Sequence, residues 1–260
     1  KILLSDIRYP ASIQQEEDPR ARVLCALVTL RDIGALDVVL PELVLGRGVE
    51  QDETYHAYDV LDHNLAAAAH VRPELRLRLA ALLHDVGKPE AHLKQGNMHG
   101  HERIGAGIAK EILSRLRYPN ALVKEVVTLI EFHMYDLDGR AKEKTLRKRF
   151  VTLGKQTVYD LADLRDADIW GSGKSRGAPS YTGERWRELV ERMKRGGVPF
   201  SESELFATGA DIMAWTGLAP GKRIGAIKRQ LLLHCALKPE DNTPERLRRR
   251  ALELVKGKQV

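Results

Sequence analysis

Apolar residues in this chain recur at intervals of three and four, and nowhere over a useful length at intervals of two. That is the period of helices packed by one face, so the sequence predicts an all-α fold. The clearest instance is the stretch 75–89, LRLRLAALLHDVGKP, in which Leu75, Leu79, Leu82, Leu83 and Val86 fall at i, i+4, i+7, i+8 and i+11. Gly87 and Pro89 are expected to stop that helix. Composition agrees: Leu, Ala, Arg and Glu are abundant, whereas aromatics make up 5%. At 260 residues the chain is long enough for one large domain or two small ones with a proper core.

Further helices are expected at about 20–33, 55–71, 102–116, 120–134, 158–170 and 184–194, then two around a Gly/Pro turn within 202–237, and an Arg-rich one after Thr243-Pro244-Glu245. Asp18-Pro19 reads as the start signal of the first. Residues 1–18 are polar and irregular, and 171–183 is a flexible loop by composition. In the helix at 55–71, His56, His63 and His70 lie seven apart and so share a face.

Beside the apolar face of 75–89 stand His84 and Asp85, an imidazole and a carboxylate on consecutive residues. Neither belongs unpaired in a dry core. Together they suit one hard or borderline cation, although such a doublet arises by chance often enough to mean little alone. His63, His101, His133 and Asp168 share the same context, each on or at the end of a helix with an apolar face. Bundles build metal sites from such inward groups. Six of them suffice for two divalent ions with a bridging water of lowered pKa, and the four His63, His84, Asp85 and Asp168 suffice for one. A His/Asp set accepts Mg, Mn, Fe, Ni or Co, so the identity of the metal stays open.

The remaining histidines, His56, His70, His92, His99 and His234, read as structural or surface residues, with His56 the best placed to support His63. Cys25 and Cys235 form no CxxC and lie in helix-like apolar stretches, so both are expected to be buried reduced thiols in a reducing compartment. No apolar run approaches membrane-spanning length and no secretory signal appears, which favours a cytoplasmic location and no membrane partner. A net charge of +6 is a mild invitation to phosphate-bearing partners. Gly171-Ser-Gly-Lys174-Ser175 fails as a P-loop, because position 168 is Asp rather than Gly and no strand precedes it. As a loop it can still deliver Lys174 or Arg176 to a substrate phosphate. Arg246, Arg248, Arg249 and Arg250 read either as a solvated helix face or as contacts to RNA phosphates.

The order His63…His84-Asp85…Asp168 resembles the HD superfamily of metal-dependent phosphohydrolases, named for that doublet. More closely, YHAYDVLDHNL, LRLAALLHDVGKP, GHERIGAGIAKEIL, LRYPN, IEFHM and ADIWG resemble the HD-containing C-terminal body of bacterial CCA-adding enzymes and related poly(A) polymerases. The resemblance runs from about residue 20 to the end, and includes VLPEL (39–43) and TGADIMAWTGLAPGKRIGAIKRQL (208–231). It implies an HD-type helical bundle with a helical C-terminal extension: neck-like helices in 1–50, the HD core in 51–175 and the extension in 176–260. It assigns His63, His84, Asp85 and Asp168 as metal ligands, His101 and His133 as the added histidines of two-metal relatives, and Lys88 as a lysine near the substrate phosphate. Asp85 and Lys88 are then the catalytic candidates.

The function so implied is hydrolysis of a phosphomonoester, a nucleotide or a cyclic phosphodiester by metal-activated water, with Lys88 and loop cations countering charge on the phosphoryl oxygens. The alternative is the tRNA-binding body of a CCA-adding or poly(A) polymerase-type enzyme without its catalytic head. That head needs a glycine-rich turn and a DxD pair on strands. Nothing before Arg20 can form it, and the DxD spellings at 136–138 and 166–168 follow helices, so this chain alone is not expected to add nucleotides. The chain begins at Lys1 rather than Met, which leaves a fragment, a processed product and a shortened start all open. Substrate and oligomeric state stay open as well, and the partners to expect are a phosphate-containing small molecule, a nucleotide, tRNA or another RNA.

Overall fold

The computed structural model describes residues 18–174 and 179–257. All regular structure among them is helical, as the apolar period requires. The first helix, α1 (Pro19–Asp32), begins at its sequence signal, with the Asp18 carboxylate accepting from the Arg20 amide at 2.8 Å and Pro19 in the first turn. Two short helices follow, α2 (Ala35–Val39) and α3 (Pro41–Val44). Then come α4 (Val60–His70), α5 (Leu75–Leu83), α6 (Lys88–Gln95), α7 (His101–Arg115) and α8 (Asn120–Phe132). The chain continues through α9 (Glu143–Leu153), α10 (Lys155–Gly171), α11 (Tyr181–Arg195), α12 (Gly209–Thr216), α13 (Lys222–Cys235) and α14 (Pro244–Lys256).

Four features depart from the sequence pattern. The helix expected at 55–71 starts only at Val60, because Asp59 caps it: its carboxylate accepts from the Asp62 and Gly48 amides. His56 therefore lies outside the helix that carries His63 and His70. The helix at 75–89 is broken after Leu83 by a turn through Gly87, and Pro89 sits in the first turn of α6, where its missing N–H costs nothing. The buried face of α5 is Leu77, Ala80, Ala81 and Leu83, while Leu75 is 56% exposed. Small alanines win this face because α4, with buried Ala66 through Ala69, packs against it. Cys235 is buried as expected but Cys25 is exposed, since the inward positions of α1 are Leu24 and Val28.

The chain divides into two compact units that interleave in sequence. One comprises residues up to Leu137 together with Asp160–Glu184, the other Asp138–Tyr159 with Arg185 onward. In the first unit, Leu61, Leu65, Leu77, Leu83, Ile112, Leu113, Leu129 and Ile130 are fully buried. Each contributes about 1.5–3 kcal/mol through apolar surface removed from water. Two glycines bring the site-bearing segments together. A Cβ on Gly87 would meet the His101 carbonyl oxygen and lie 2.5 Å from the Gly105 amide, so the turn after α5 rests on the backbone of α7. A Cβ on Gly171 would lie 2.8 Å from the Ala67 amide, so the end of α10 rests on α4 in the same way. The second unit is centred on Trp186 and Phe150, packed edge to face at 5.9 Å, with Ile212, Ile227, Leu231 and Leu247 around the α12–α14 helices.

Candidate metal centre

Five helices of the first unit deliver six polar side chains to one place. His63 comes from the middle of α4, His84 and Asp85 from the turn closing α5, His101 from the first residue of α7, His133 from the residue closing α8, and Asp168 from α10. His63 and His84 are fully buried, Asp85, His101 and His133 nearly so, and the Asp168 side chain is 15% exposed. The interleaved fold explains the last member: α10 returns to the first unit after the chain has passed through the second.

The six groups fall into two sets that could each hold an ion: His63, His84 and Asp168, and Asp85, His101 and His133. In the first, His63 Nε2 lies 3.0 Å from His84 Nε2 and 3.2 Å from Asp168 Oδ1. In the second, His101 Nε2 lies 3.0 Å from Asp85 Oδ1 and 3.2 Å from His133 Nε2. Asp85 faces both sets, because its Oδ2 is 3.3 Å from His63 Nε2 and 3.4 Å from His84 Nε2. Donors bound at about 2.1 Å to one divalent ion stand about 3.0 to 3.4 Å apart in octahedral or tetrahedral arrangement. The spacings quoted above fall in that range, while His84 Nε2–Asp168 Oδ1 at 3.5 Å and His133 Nε2–Asp85 Oδ1 at 3.7 Å lie just beyond it.

The backbone fixes which nitrogens point inward. Nδ1 of His84, His101 and His133 lies 2.8, 2.7 and 2.7 Å from the carbonyl oxygens of Ala81, Met98 and Ile130. A carbonyl only accepts, so each Nδ1 carries a proton, and in its neutral form each ring turns an Nε2 lone pair inward. In the second set two such lone pairs and a carboxylate oxygen then converge. Acceptors that close repel unless a positive charge lies among them.

Charge sharing shows how the cluster satisfies itself by protons alone. Burial works against ionisation of Asp85, but the charges of His84 and Lys88 and hydrogen bonds from His101 and His133 hold it well below the ordinary carboxylate range. Asp168 is likewise held well below that range, with burial outweighed by hydrogen bonds from His63 and His84. Burial opposes a charge on His63, yet its bonds to Asp168 and Asp85 lift it to about 9. His101 is raised for the same reason by Asp85, whereas burial keeps His133 below its ordinary value. Divalent ions would displace these protons and keep the same carboxylates ionised.

Lys88 opens α6, is 9% exposed, and holds its Nζ 2.5 Å from Asp85 Oδ2 and 2.6 Å from Gln51 Oε1. Gln51 was not legible as a site residue. It belongs to the segment before α4, anchors itself by donating to the Tyr58 carbonyl, and carries no motif. Arg165 was also missed, although it sits three residues before Asp168 on α10 and donates to Asp168 Oδ2 at 2.8 Å, an i,i+3 pair that spacing alone could have found. His56 packs edge to face on His63 with centroids 4.9 Å apart; its Nδ1 is buried without a hydrogen bond, and burial with the charge of His63 pushes its pKa down to about 4.

The other candidates are placed as follows. Lys174 is exposed and donates to the Glu53 carbonyl. Arg176 lies outside the described residues. Arg246 pairs with Asp241 at 2.8 Å and Arg250 with Glu253 at 2.8 Å, while Arg248 and Arg249 are exposed. His70 stacks on Trp170, with centroids 4.5 Å apart, and belongs to neither set. No helix among the described residues is long and apolar enough to cross a membrane.

Residues 54–163 match the HD domain, a span that holds five of the six clustered residues and stops short of Asp168. The chain is 34% identical, over 85% of its length, to the A-adding tRNA nucleotidyltransferase of Deinococcus radiodurans, of which it covers 52%. It is 33% identical, over 81% of its length, to the CC-adding tRNA nucleotidyltransferase of Thermus thermophilus, of which it covers 48%. The chain thus spans about half the length of the curated relatives it matches. The HD match lies within a sequence similar over most of its length to bacterial tRNA nucleotidyltransferases.

Proposed function

We propose that this chain is a divalent-metal-dependent phosphohydrolase acting on a phosphomonoester, a nucleotide or a cyclic phosphodiester. The observation that carries the reading is the convergence of His101 Nε2, His133 Nε2 and Asp85 Oδ1 with both imidazoles anchored through Nδ1, an arrangement that suits a cation in place of the shared protons. His63, His84, Asp168 and Asp85 Oδ2 would hold one ion; His101, His133 and Asp85 Oδ1 would hold the other. When bound, such ions (Mg, Mn, Fe, Ni or Co) supply Lewis acidity toward a phosphoryl oxygen and a water of lowered pKa.

The protein's own part is orientation and charge. The carbonyls of Ala81, Met98 and Ile130 lock three imidazoles in the ligating tautomer, and Arg165 fixes Asp168. Lys88, held between Asp85 and Gln51, presents an ammonium that can turn toward a phosphoryl oxygen as negative charge develops there. A cytoplasmic location goes with this reading.

Metal analysis of the purified protein, with turnover of p-nitrophenyl phosphate and bis(p-nitrophenyl) phosphate under added divalent ions, tests the proposal. Expected are bound metal and turnover that disappears in Asp85→Ala. No bound metal and no turnover with any divalent ion would sink it.

A second reading has its own support. The relatives are named for tRNA, and the second unit of this chain carries 23 Lys and Arg against 11 Asp and Glu, a net +12. On that reading the chain is an RNA-binding body, and the hydrolase and RNA roles can coexist.

A further inference from the structure

Positive charge in the second unit is gathered on two neighbouring helices, α9 and α13. α9 has four cations (Lys144, Arg147, Lys148, Arg149) and one carboxylate, Glu143, which is taken up by Arg147 and Arg192. α13 has four cations (Lys222, Arg223, Lys228, Arg229) and no carboxylate. Arg147 Nε donates to the Ala236 carbonyl at 2.7 Å, tying α9 to the end of α13. Beside that tie lies a cleft of about 290 Å³ lined by Lys144, Thr145, Lys148, Arg149, Thr152 and Leu233, with no carboxylate among them.

We propose that this α9–α13 cleft is a docking site for the phosphodiester backbone of RNA. The inference deepens the RNA reading and rests on it, but not on the metal centre. Three features select this occupant. Lys144 and Lys148 stand at i and i+4, with side chains about 5–6 Å apart on one face, and have no acidic partner among the described residues. Like charges so placed repel one another, and an anion relieves the repulsion. They also form a row along the helix rather than a ring around a point, which suits a strand of successive phosphates better than one compact anion. Finally, Leu233 is the single apolar side chain of the lining, enough to support a ribose and too little to enter a lipid bilayer. Arg229 lies one turn before Leu233 on the same face of α13 and adds a cation to that helix.

This places the contact elsewhere than the Arg-rich helix to which the sequence drew attention. On α14, Arg246 and Arg250 are already paired with Asp241 and Glu253.

The test is fluorescence anisotropy of a fluorescein-labelled RNA stem-loop titrated with the full chain. The double substitution Lys144→Ala/Lys148→Ala is expected to raise Kd roughly tenfold at about 0.1 M salt and to lower the slope of log Kd against log salt by about 2. Arg248→Ala/Arg249→Ala removes equal charge from α14 and is expected to raise Kd less than about threefold. Both pairs are exposed, so folding is preserved, and bound metal should be unchanged in each. An unchanged Kd for the α9 pair, or an equal loss for the two pairs, overturns the assignment of the surface while leaving RNA binding intact. No RNA binding by the unsubstituted chain overturns the RNA reading itself.

Discussion

The two units put charge to opposite uses. Every buried polar or charged side chain among the described residues lies in the first unit: His63, His84, Asp85, His101 and His133 of the cluster, Arg31, Asn64, Lys88, Asp160, Ser172, Ser180 and Thr182. The second unit buries only apolar side chains and turns its charge outward. The first unit carries 19 Lys and Arg against 25 Asp and Glu, net −6, so the +6 of the whole chain is a sum over a −6 and a +12 half. An overall charge that looks unremarkable thus hides an acidic unit, which holds the His/Asp cluster, and a basic unit suited to anions. Buried charge is costly to hold without partners, and the first unit meets that cost by clustering: Asp160 with Arg72 and Arg76, Arg31 with Asp62, and six ligand-type groups with one another.

The substitution that breaks this contrast most sharply is Asp85→Asn. It keeps the volume and removes the one carboxylate that faces both ligand sets. Phosphoester turnover should fall by about 10³-fold or more, and bound metal should drop for both sites rather than one. Metal analysis beside steady-state kinetics reads both. Loss of one ion with the other retained at full occupancy would show that Asp85 does not bridge.

A smaller effect follows from the packing that assembles the centre. Gly87→Ala drives a methyl into the backbone of α7 at His101 and Gly105, neither of which can step aside as a flexible side chain would. The expected loss is about 2–3 kcal/mol, read as a shift in the urea midpoint, together with weakened metal binding through displaced His101. Gly107→Ala, on the same helix with open space around it, should instead stabilise by about 0.5–1 kcal/mol. Equal effects at the two glycines would mean that the approach of the α5 turn to α7 is not what limits the fold.

How far the sequence disclosed these features differs between fold and site. Helix period and capping signals gave the all-α architecture and the true starts at Pro19 and Pro244, because Asp18 and Thr243 are local devices that need no tertiary information. The register of α5 was misread for the opposite reason: which face goes inward depends on the alanines of α4, residues distant in sequence. All six ligand-type residues were nameable because their types, on or at the ends of apolar-faced helices, are written in the chain and follow the order of the family motif it resembles. Their grouping into two sets sharing Asp85 was not, since it depends on angles between five helices. Gln51 was invisible altogether, because a glutamine in a loop has no chemistry until the fold brings Lys88 to it.

The pH response separates the units without any substitution. His63 is raised to about 9 in the folded protein, so its contribution is fully present below about 6.5 and is lost as pH rises through 9. Asp85 and Asp168 are depressed, so their contribution is present above about 4 and is lost as pH falls through their folded values. His56 and His70, pushed down to about 4 mainly by burial, oppose folding in acid, so stability also climbs between about pH 4 and 6.5. Chelator-stripped protein should therefore be most stable near pH 6.5 and lose about 2–3 kcal/mol toward pH 9. Hydrogen exchange should locate that loss in α4, α5, α7 and α8. In the second unit Cys235, pushed up by burial to about 12, contributes no such slope below pH 9. Adding a divalent ion should reverse the trend, because binding requires the imidazoles neutral and strengthens as pH rises. A stripped protein whose stability is flat from pH 6 to 9 would mean that His63 is not charged in the cluster.

The smallest expected effect is the one that defines the second unit. Lys144→Ala/Lys148→Ala removes two exposed like charges at i,i+4, whose mutual repulsion is about 0.2–0.5 kcal/mol, and alanine is the better helix former. The urea midpoint should stay within about 0.5 kcal/mol of the parent and move, if at all, toward greater stability. A basic face that costs stability when kept and nothing when removed is retained for something other than the fold. Destabilisation by more than about 1 kcal/mol would reverse that inference, making the α9 lysines part of what holds the second unit together and erasing the distinction between inward and outward charge.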